Sequence, residues 1–316
     1  MGWFGKKKVE PKISIEINGK PVQPKRPPLP TPKGINIAED FTLLKSVYQN
    51  NQNFGEMDTA AMVKEVNPHA DASTCPYCGV KHDFVAKRAR KCPDCGKNMV
   101  VRSGFFITDE QVDKFQAKMQ GFYDKQNAES RLATELKTIQ DAQLNKDLTR
   151  LYLGFAEGFR RAAKLDNQKD SEGFDYWDRS WRYYNQARVE DVNSNQYFNQ
   201  QSSISSAMCE ALIDRALTKQ SGDSRNKTLK TALQMLLASV AESQKYNDGM
   251  STGTWVYERA KLLMRESGAD NNDLMQAGER VAKSLRLSGP LLNKFNASLK
   301  AIQDYELFGD VQLFSY

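Results

Sequence analysis

The sequence predicts a mainly α protein, a helical bundle or irregular α-solenoid with a small β unit inserted near its N-terminal third. Three observations carry that reading. Apolar residues recur at three- and four-residue spacing in segment after segment from 108 to 306, the period of helices with one buried face. Thr108-Asp-Glu-Gln111 is a capping box that opens the series. Between 69 and 107 the helical period gives way to two Cys-x-x-Cys pairs and a strand-like run.

Composition bounds what the chain can be. Its 316 residues suffice for one large domain or two to three small ones, and a 40% hydrophobic, 27% charged make-up is that of a soluble protein with a sizeable core. No apolar run approaches the ~20 residues of a membrane-spanning helix. The net charge of +6 is unevenly placed: residues 1–33 hold eight of the 45 basic residues and only two of the 39 acidic ones, leaving 37 of each in the remainder. A uniformly basic nucleic-acid-binding body is thereby excluded, and positive charge belongs to the tail.

Taken in order, residues 1–33 read as a basic, Pro-rich tail. Ile13, Ile15 and Ile17 alternate with polar residues ahead of Asn18-Gly19, which predicts a small hairpin over about 12–23. Six prolines between Pro21 and Pro32 predict an extended polyproline-II tether. Residues 34–68 read as short helices in two pieces, with Phe41, Leu44, Val47 and Tyr48 on one face of the first, a break near Gly55, and Ala60, Ala61, Met62 and Val66 in the second.

The segment 69–107 carries the chemistry. The pairs are Cys75-Pro-Tyr-Cys78-Gly and Cys92-Pro-Asp-Cys95-Gly, with thirteen residues between Cys78 and Cys92. Two such pairs can bring four thiolates to the corners of a tetrahedron, which is the closed structural arrangement Zn²⁺ adopts. The glycine after each pair lets the backbone turn around the metal. A pair of redox-active motifs would sit in a thioredoxin-like βαβ pattern, and none surrounds them. Paired disulfides would need an oxidising compartment, yet no signal-peptide pattern is present and Cys209 has no mate, so a reducing cytosol is expected. An iron–sulfur cluster or another metal is the remaining alternative. The chain's two histidines, His69 and His82, flank the first pair but are left out of the ligand set, because four thiolates already fill the shell. One structural zinc on Cys75, Cys78, Cys92 and Cys95 is therefore expected, with no position open for catalytic water.

The repeated Cys-Pro-x-Cys-Gly resembles the zinc-ribbon families, and the likeness covers about residues 73–107. It implies two knuckles at the tips of short β-hairpins. Val100-Val101-Arg102-Ser103-Gly104-Phe105-Phe106-Ile107, followed by a helix start, is also similar to ribbon-plus-helix proteins of phage and mobile-element type, most of them without assigned function.

Residues 108–306 form the helical region. Val112, Phe115, Met119 and Phe122 begin a stripe that Leu132, Leu136 and Ile139 extend. Later stripes run through Leu148–Phe159, Phe174–Tyr184, Ile204–Leu212, Leu229–Val240, Val256–Leu263, Leu274–Leu285 and Leu292–Ile302. Taken in pairs they repeat on the scale of helical-repeat arrays, but the tetratricopeptide signature is absent. Residues 307–316 are an apolar tail that either tucks onto the bundle or is offered to a partner.

No Walker loop, Gly-x-Gly-x-x-Gly, Gly-x-Ser-x-Gly or His-Glu-x-x-His is present, and with both histidines beside the cysteines no histidine base can serve the helical region. A non-enzymatic adaptor that binds a protein partner through its helices is the expected function. Tyr176, Arg179, Arg182 and Tyr183 fall off the 174/177/181/184 stripe and are the expected exposed partner-binding face. The alternative is a nucleic-acid-binding protein, in which Lys87, Arg88, Arg90, Lys91 and Arg102 meet phosphates with help from the N-terminal tail.

Overall fold

A computed structural model describes residues 15–17, 20–22, 35–52, 56–165, 175–193, 200–246, 253–309 and 313. The proline tether beyond Val22, the break near Gly55 and Phe174 lie outside them. The fold is mainly helical, with ten helices and five short strands among the described residues. Strands β1 (Ile15–Ile17) and β2 (Lys20–Val22) pair antiparallel with Ile15 opposite Val22 and Ile17 opposite Lys20, the hairpin the alternation predicts. No helix of the described residues is long and apolar enough to cross a membrane.

Helix α1 (Ile37–Asn50) starts at Asn36, whose side chain accepts the Glu39 N–H. Helix α2 (Thr59–Val66) starts at Asp58, which accepts from Ala60 and Ala61. Strands β3 (Arg90–Lys91), β4 (Asn98–Arg102) and β5 (Phe105–Ile107) then form an antiparallel sheet in chain order. The β4–β5 turn is Ser103-Gly104, both at positive φ (47° and 80°), the backbone that matches strand twist in a two-residue hairpin. Helix α3 (Asp109–Asn145) follows at once, its capping box formed by Thr108 and Gln111 as the motif requires.

The remaining helices are α4 (Leu148–Leu165), α5 (Tyr176–Asn193), α6 (Gln201–Lys219), α7 (Gly222–Tyr246), α8 (Thr254–Ser267), α9 (Asn271–Leu285) and α10 (Gly289–Asp304). From α3 to α8 each packs on the next, and α7 also meets α9 and α10, a bundle-like packing in chain order. One core joins α1, the second half of α3, α4, α5 and α6; another joins α6 through α10. Helix α6 serves both, because Ile204, Met208 and Ala211 face the first while Cys209, Leu212, Ile213 and Ala216 face the second. A helix packed on both sides buries most of its circumference, which accounts for a buried cysteine there, and its buried polar residues Ser205 and Asp214 have hydrogen-bond partners on neighbouring helices. Leu307 packs against the second core and Leu313 is buried, so these tail residues tuck in, whereas Phe308 is 78% exposed.

Charges cross-link the interior. Arg160 of α4 donates to Asp214 of α6 at 2.5 Å with both side chains buried. Glu242 of α7 accepts from Arg188 of α5 and, at 2.6 Å, from Ser205 of α6. Such networks fix which helix faces which more than they add stability.

The α5 face expected to be exposed is instead packed inside. Tyr176 and Tyr183 are 4% and 1% exposed, and Arg179 and Arg182 are half-buried. The Tyr183 ring stacks on Phe155 with centroids 4.7 Å apart, and its hydroxyl donates to Asp40 of α1, which Arg179 also contacts. The expectation weighed the period of α5 alone. A buried carboxylate from a helix more than a hundred residues earlier covers the off-stripe face.

Candidate metal centre

The two cysteine pairs fold as copies of one local structure. In the first, the Cys75 N–H donates to the Val80 carbonyl and the Gly79 N–H to the Cys75 carbonyl, both at 2.9 Å. In the second, Cys92 donates to Lys97 and Gly96 donates to Cys92, again at 2.9 Å. Gly79 and Gly96 take φ of 74° and 72°, a left-handed conformation that side chains disfavour, so the glycine after each pair is required by the turn. Each knuckle closes a hairpin: a Thr74–Lys81 bridge holds the first, and β3 against β4 the second. Asp71 braces the entry by accepting from the Ser73 N–H, the Ser73 hydroxyl and the Thr74 hydroxyl, which together hold its carboxyl down at about 2.

Facing each other, the knuckles bring four sulfurs together. Cys75 Sγ lies 3.8 Å from Cys95 Sγ and Cys78 Sγ 3.8 Å from Cys92 Sγ, and all four fall within 4.8 Å of one another. These separations are far beyond an S–S bond, and all five cysteines are free thiols. Cys75 and Cys92 are buried, Cys95 is half-buried and Cys78 is exposed, so the cluster has an inner and an outer side. Burial opposes ionisation of Cys92, but the backbone N–H groups of Cys95 and Asp94 overcome it and lower its thiol to about 6. For Cys78 the Val80 N–H favours the thiolate, yet burial and the neighbouring thiols together push it up to about 12. Crowded thiols of this kind ionise together only around a cation, so these four residues can hold a metal ion.

The sheet ties the cluster to the helices through both of its faces. Met99 and Phe106 are fully buried with Cys75, Cys92 and Ala86, while the alternate positions Val100, Phe105 and Ile107 pack with Val63 of α2 and Phe115 of α3. Period-two alternation therefore feeds two small cores at once. Tyr77 adds a polar tie, its hydroxyl accepting the Asp109 N–H at 3.2 Å at the start of α3. Beyond Met119, residues 123–127 of α3 are exposed before Ala128 enters the first bundle core, so along α3 a bare helical stretch separates the two packed ends.

Sequence reasoning set His82 aside, and the structure places it against the site. Its Nε2 lies 3.5 Å from Cys92 Sγ and its Nδ1 3.6 Å from Asp94 Oδ2, with the ring stacked on Phe84 at 4.6 Å. Four thiols already make a full tetrahedral set without it, and His82, Cys92 and Asp94 form a second close group of possible ligand atoms, all within 4.8 Å of one another, that shares Cys92 with the first. Nothing in the spacing marks His82, because it is reached through the fold of the first hairpin.

Of the expected phosphate contacts, Lys87, Arg88 and Lys91 are exposed. Arg90 lies over the Phe84 ring at 4.0 Å, and an Arg102 Nη donates to the Val101 carbonyl at 2.9 Å, so these two also brace the lobe. Lys81 and Lys97 add exposed charge beside the knuckles. Compared with known proteins, the chain matches no family model, no curated protein and no solved structure.

Proposed function

We propose that the four cysteines bind one structural Zn²⁺ in a zinc ribbon and that the chain is a non-enzymatic adaptor whose helical region binds a protein partner while the ribbon serves as a rigid knob. The observation that carries this reading is the sulfur geometry. A tetrahedron with Zn–S near ~2.3 Å has edges of ~3.8 Å, the separation found for both Cys75–Cys95 and Cys78–Cys92. Four thiolates leave no ligand position for substrate or water, which favours a structural ion over a catalytic one. Reduced thiols suit a reducing compartment, so we place the protein in the cytosol. The likeness to phage and mobile-element proteins remains part of this proposal only as an architecture.

A second reading has its own observation. Lys81, Lys87, Arg88, Lys91 and Lys97 are all exposed on the ribbon lobe, a modest basic footprint suited to nucleic-acid phosphates. Affinity capture of the zinc-loaded chain, with and without nuclease, separates the two. Partners retained after nuclease support the adaptor; partners lost with the nucleic acid support the second reading; no specific partner in either arm defeats the adaptor.

A further inference from the structure

The cleft between α7 and α9 has a polar lining that neither the packing nor the ribbon explains. It is an open cleft of about 520 Å³, within the size range of ligand sites. Lys230 of α7 and Asp273 of α9 pair across it at 2.8 Å, and Asp273 also closes the capping box of α9, so both are committed to holding the walls. Lys227, one turn from Asp223 on α7, and Arg280, two turns from Asp273 on α9, are exposed, and their side chains make no hydrogen bond or close ion pair among the described residues, although the Arg280 charge acts on Asp273 from a distance. The carboxamides of Asn226, Gln234 and Gln276 line the same cleft and make none either. Each carboxamide offers a donor and an acceptor, the pair of functions an extended peptide backbone presents in return. Beneath them Leu233 and Ala277 are buried and supply an apolar floor.

We infer that this cleft binds an acidic peptide segment of a partner protein, its carboxylates meeting Lys227 and Arg280 and its backbone meeting the three carboxamides. The inference rests on the adaptor reading and gives it a partner chemistry. A polyphosphate chain fits less well, because it carries charge on every unit and offers no backbone amides to the carboxamides, whereas a peptide can set a few carboxylates at Lys227 and Arg280 and present uncharged backbone near Asp223 and Asp273 in a cleft of net charge +1.

The test uses the zinc-loaded full chain and a short fluorescein-labelled peptide in which glutamate alternates with alanine and serine. Anisotropy should show saturable binding, and carbodiimide coupling of peptide carboxylates to lysine should place adducts on Lys227 or Lys230. Lys227→Glu combined with Arg280→Glu should weaken binding roughly tenfold. An unchanged melting temperature and zinc content would show that this variant still folds, as expected for exposed side chains that hold no close ion pair. Absence of saturable binding, adducts confined to the ribbon lysines, or equal binding by the variant overturns the proposal. So does a single-stranded DNA oligonucleotide that competes with the peptide and is lost in the same variant, since the cleft would then be a phosphate site. Should the variant capture the wild-type set of nuclease-resistant partners while failing to bind peptide, the adaptor reading stands and the cleft has been assigned the wrong ligand. If wild type binds peptide but captures no partner, the cleft stands and the adaptor reading falls.

Discussion

Cys92→Ser, or chelation of the wild-type protein, should release the ribbon and spare the bundle. Three large side chains of the ribbon sheet, Met99, Phe106 and Ile107, are fully buried. At about 1.5–3 kcal/mol each they contribute roughly 5–9 kcal/mol, less than the ~10–16 kcal/mol typical of a structural zinc in a small domain. A zinc ion bound there would therefore dominate the stability of the lobe, and losing one inner thiolate should remove most of that contribution. The second half of α3 and helices α4 to α10 draw on the two larger cores, which contain none of the ribbon's residues. Hydrogen exchange read by mass spectrometry should show peptides from 73–107 losing protection, with a smaller loss in α2 and the first turns of α3, whose apolar partners Val100, Phe105 and Ile107 lie on the sheet. Peptides from 128–165 and 201–302 should not change, and far-ultraviolet circular dichroism should keep most of its helical signal. Elemental analysis should find one zinc per wild-type chain. Zinc-free protein with a protected ribbon, a visible iron chromophore, or a bundle that melts on chelation would refute the reasoning.

Three further outcomes test the packing. Tyr183→Phe should cost about 1–3 kcal/mol in urea denaturation, because the buried Asp40 loses a donor; an exposed tyrosine would cost almost nothing. Gly278→Ala would set a Cβ 2.5 Å from Leu299 Cδ1 in a filled core and should destabilise by about 1–3 kcal/mol, whereas Gly121→Ala, with open space around it, should stabilise by about 0.5–1 kcal/mol. Burial first, and the Glu157 charge second, push the Glu135 carboxyl up to about 7, so the folded state holds its proton longer than the unfolded one. Stability contributed by this group is thus present at low pH and lost as pH rises from about 4.5 to about 7. Glu135→Gln should gain about 1 kcal/mol over wild type at pH 8, a value discounted for partial exposure, and the gain should vanish near pH 4.5.

The cysteine cluster was legible in the letters because its signal is local. Cys-Pro-x-Cys-Gly specifies a turn, a glycine at positive φ and two thiols within five residues, and Gly79 and Gly96 both adopt that conformation in turns closed by bonds within each knuckle. Helix starts such as Thr108–Gln111 were legible for the same reason, since their hydrogen bonds close within one turn. What the spacing of the two pairs left open was their company. His82 and Asp94 stand behind Cys92, and Tyr77 is pinned to α3, only because two hairpins fold against a third strand and a helix start. The α5 face shows the limit most plainly. A 3.6-residue period reports which side of a helix is apolar, but Tyr183 and Arg179 are drawn inward by Asp40, a charge from another helix that no local pattern contains. Likewise the α7–α9 cleft joins stripes some 45 residues apart in sequence, each of which reads alone as an ordinary solvated face. Local hydrogen bonding and periodicity determined the elements and the ligand set, whereas long-range burial of charge decided which faces are surface and which are core.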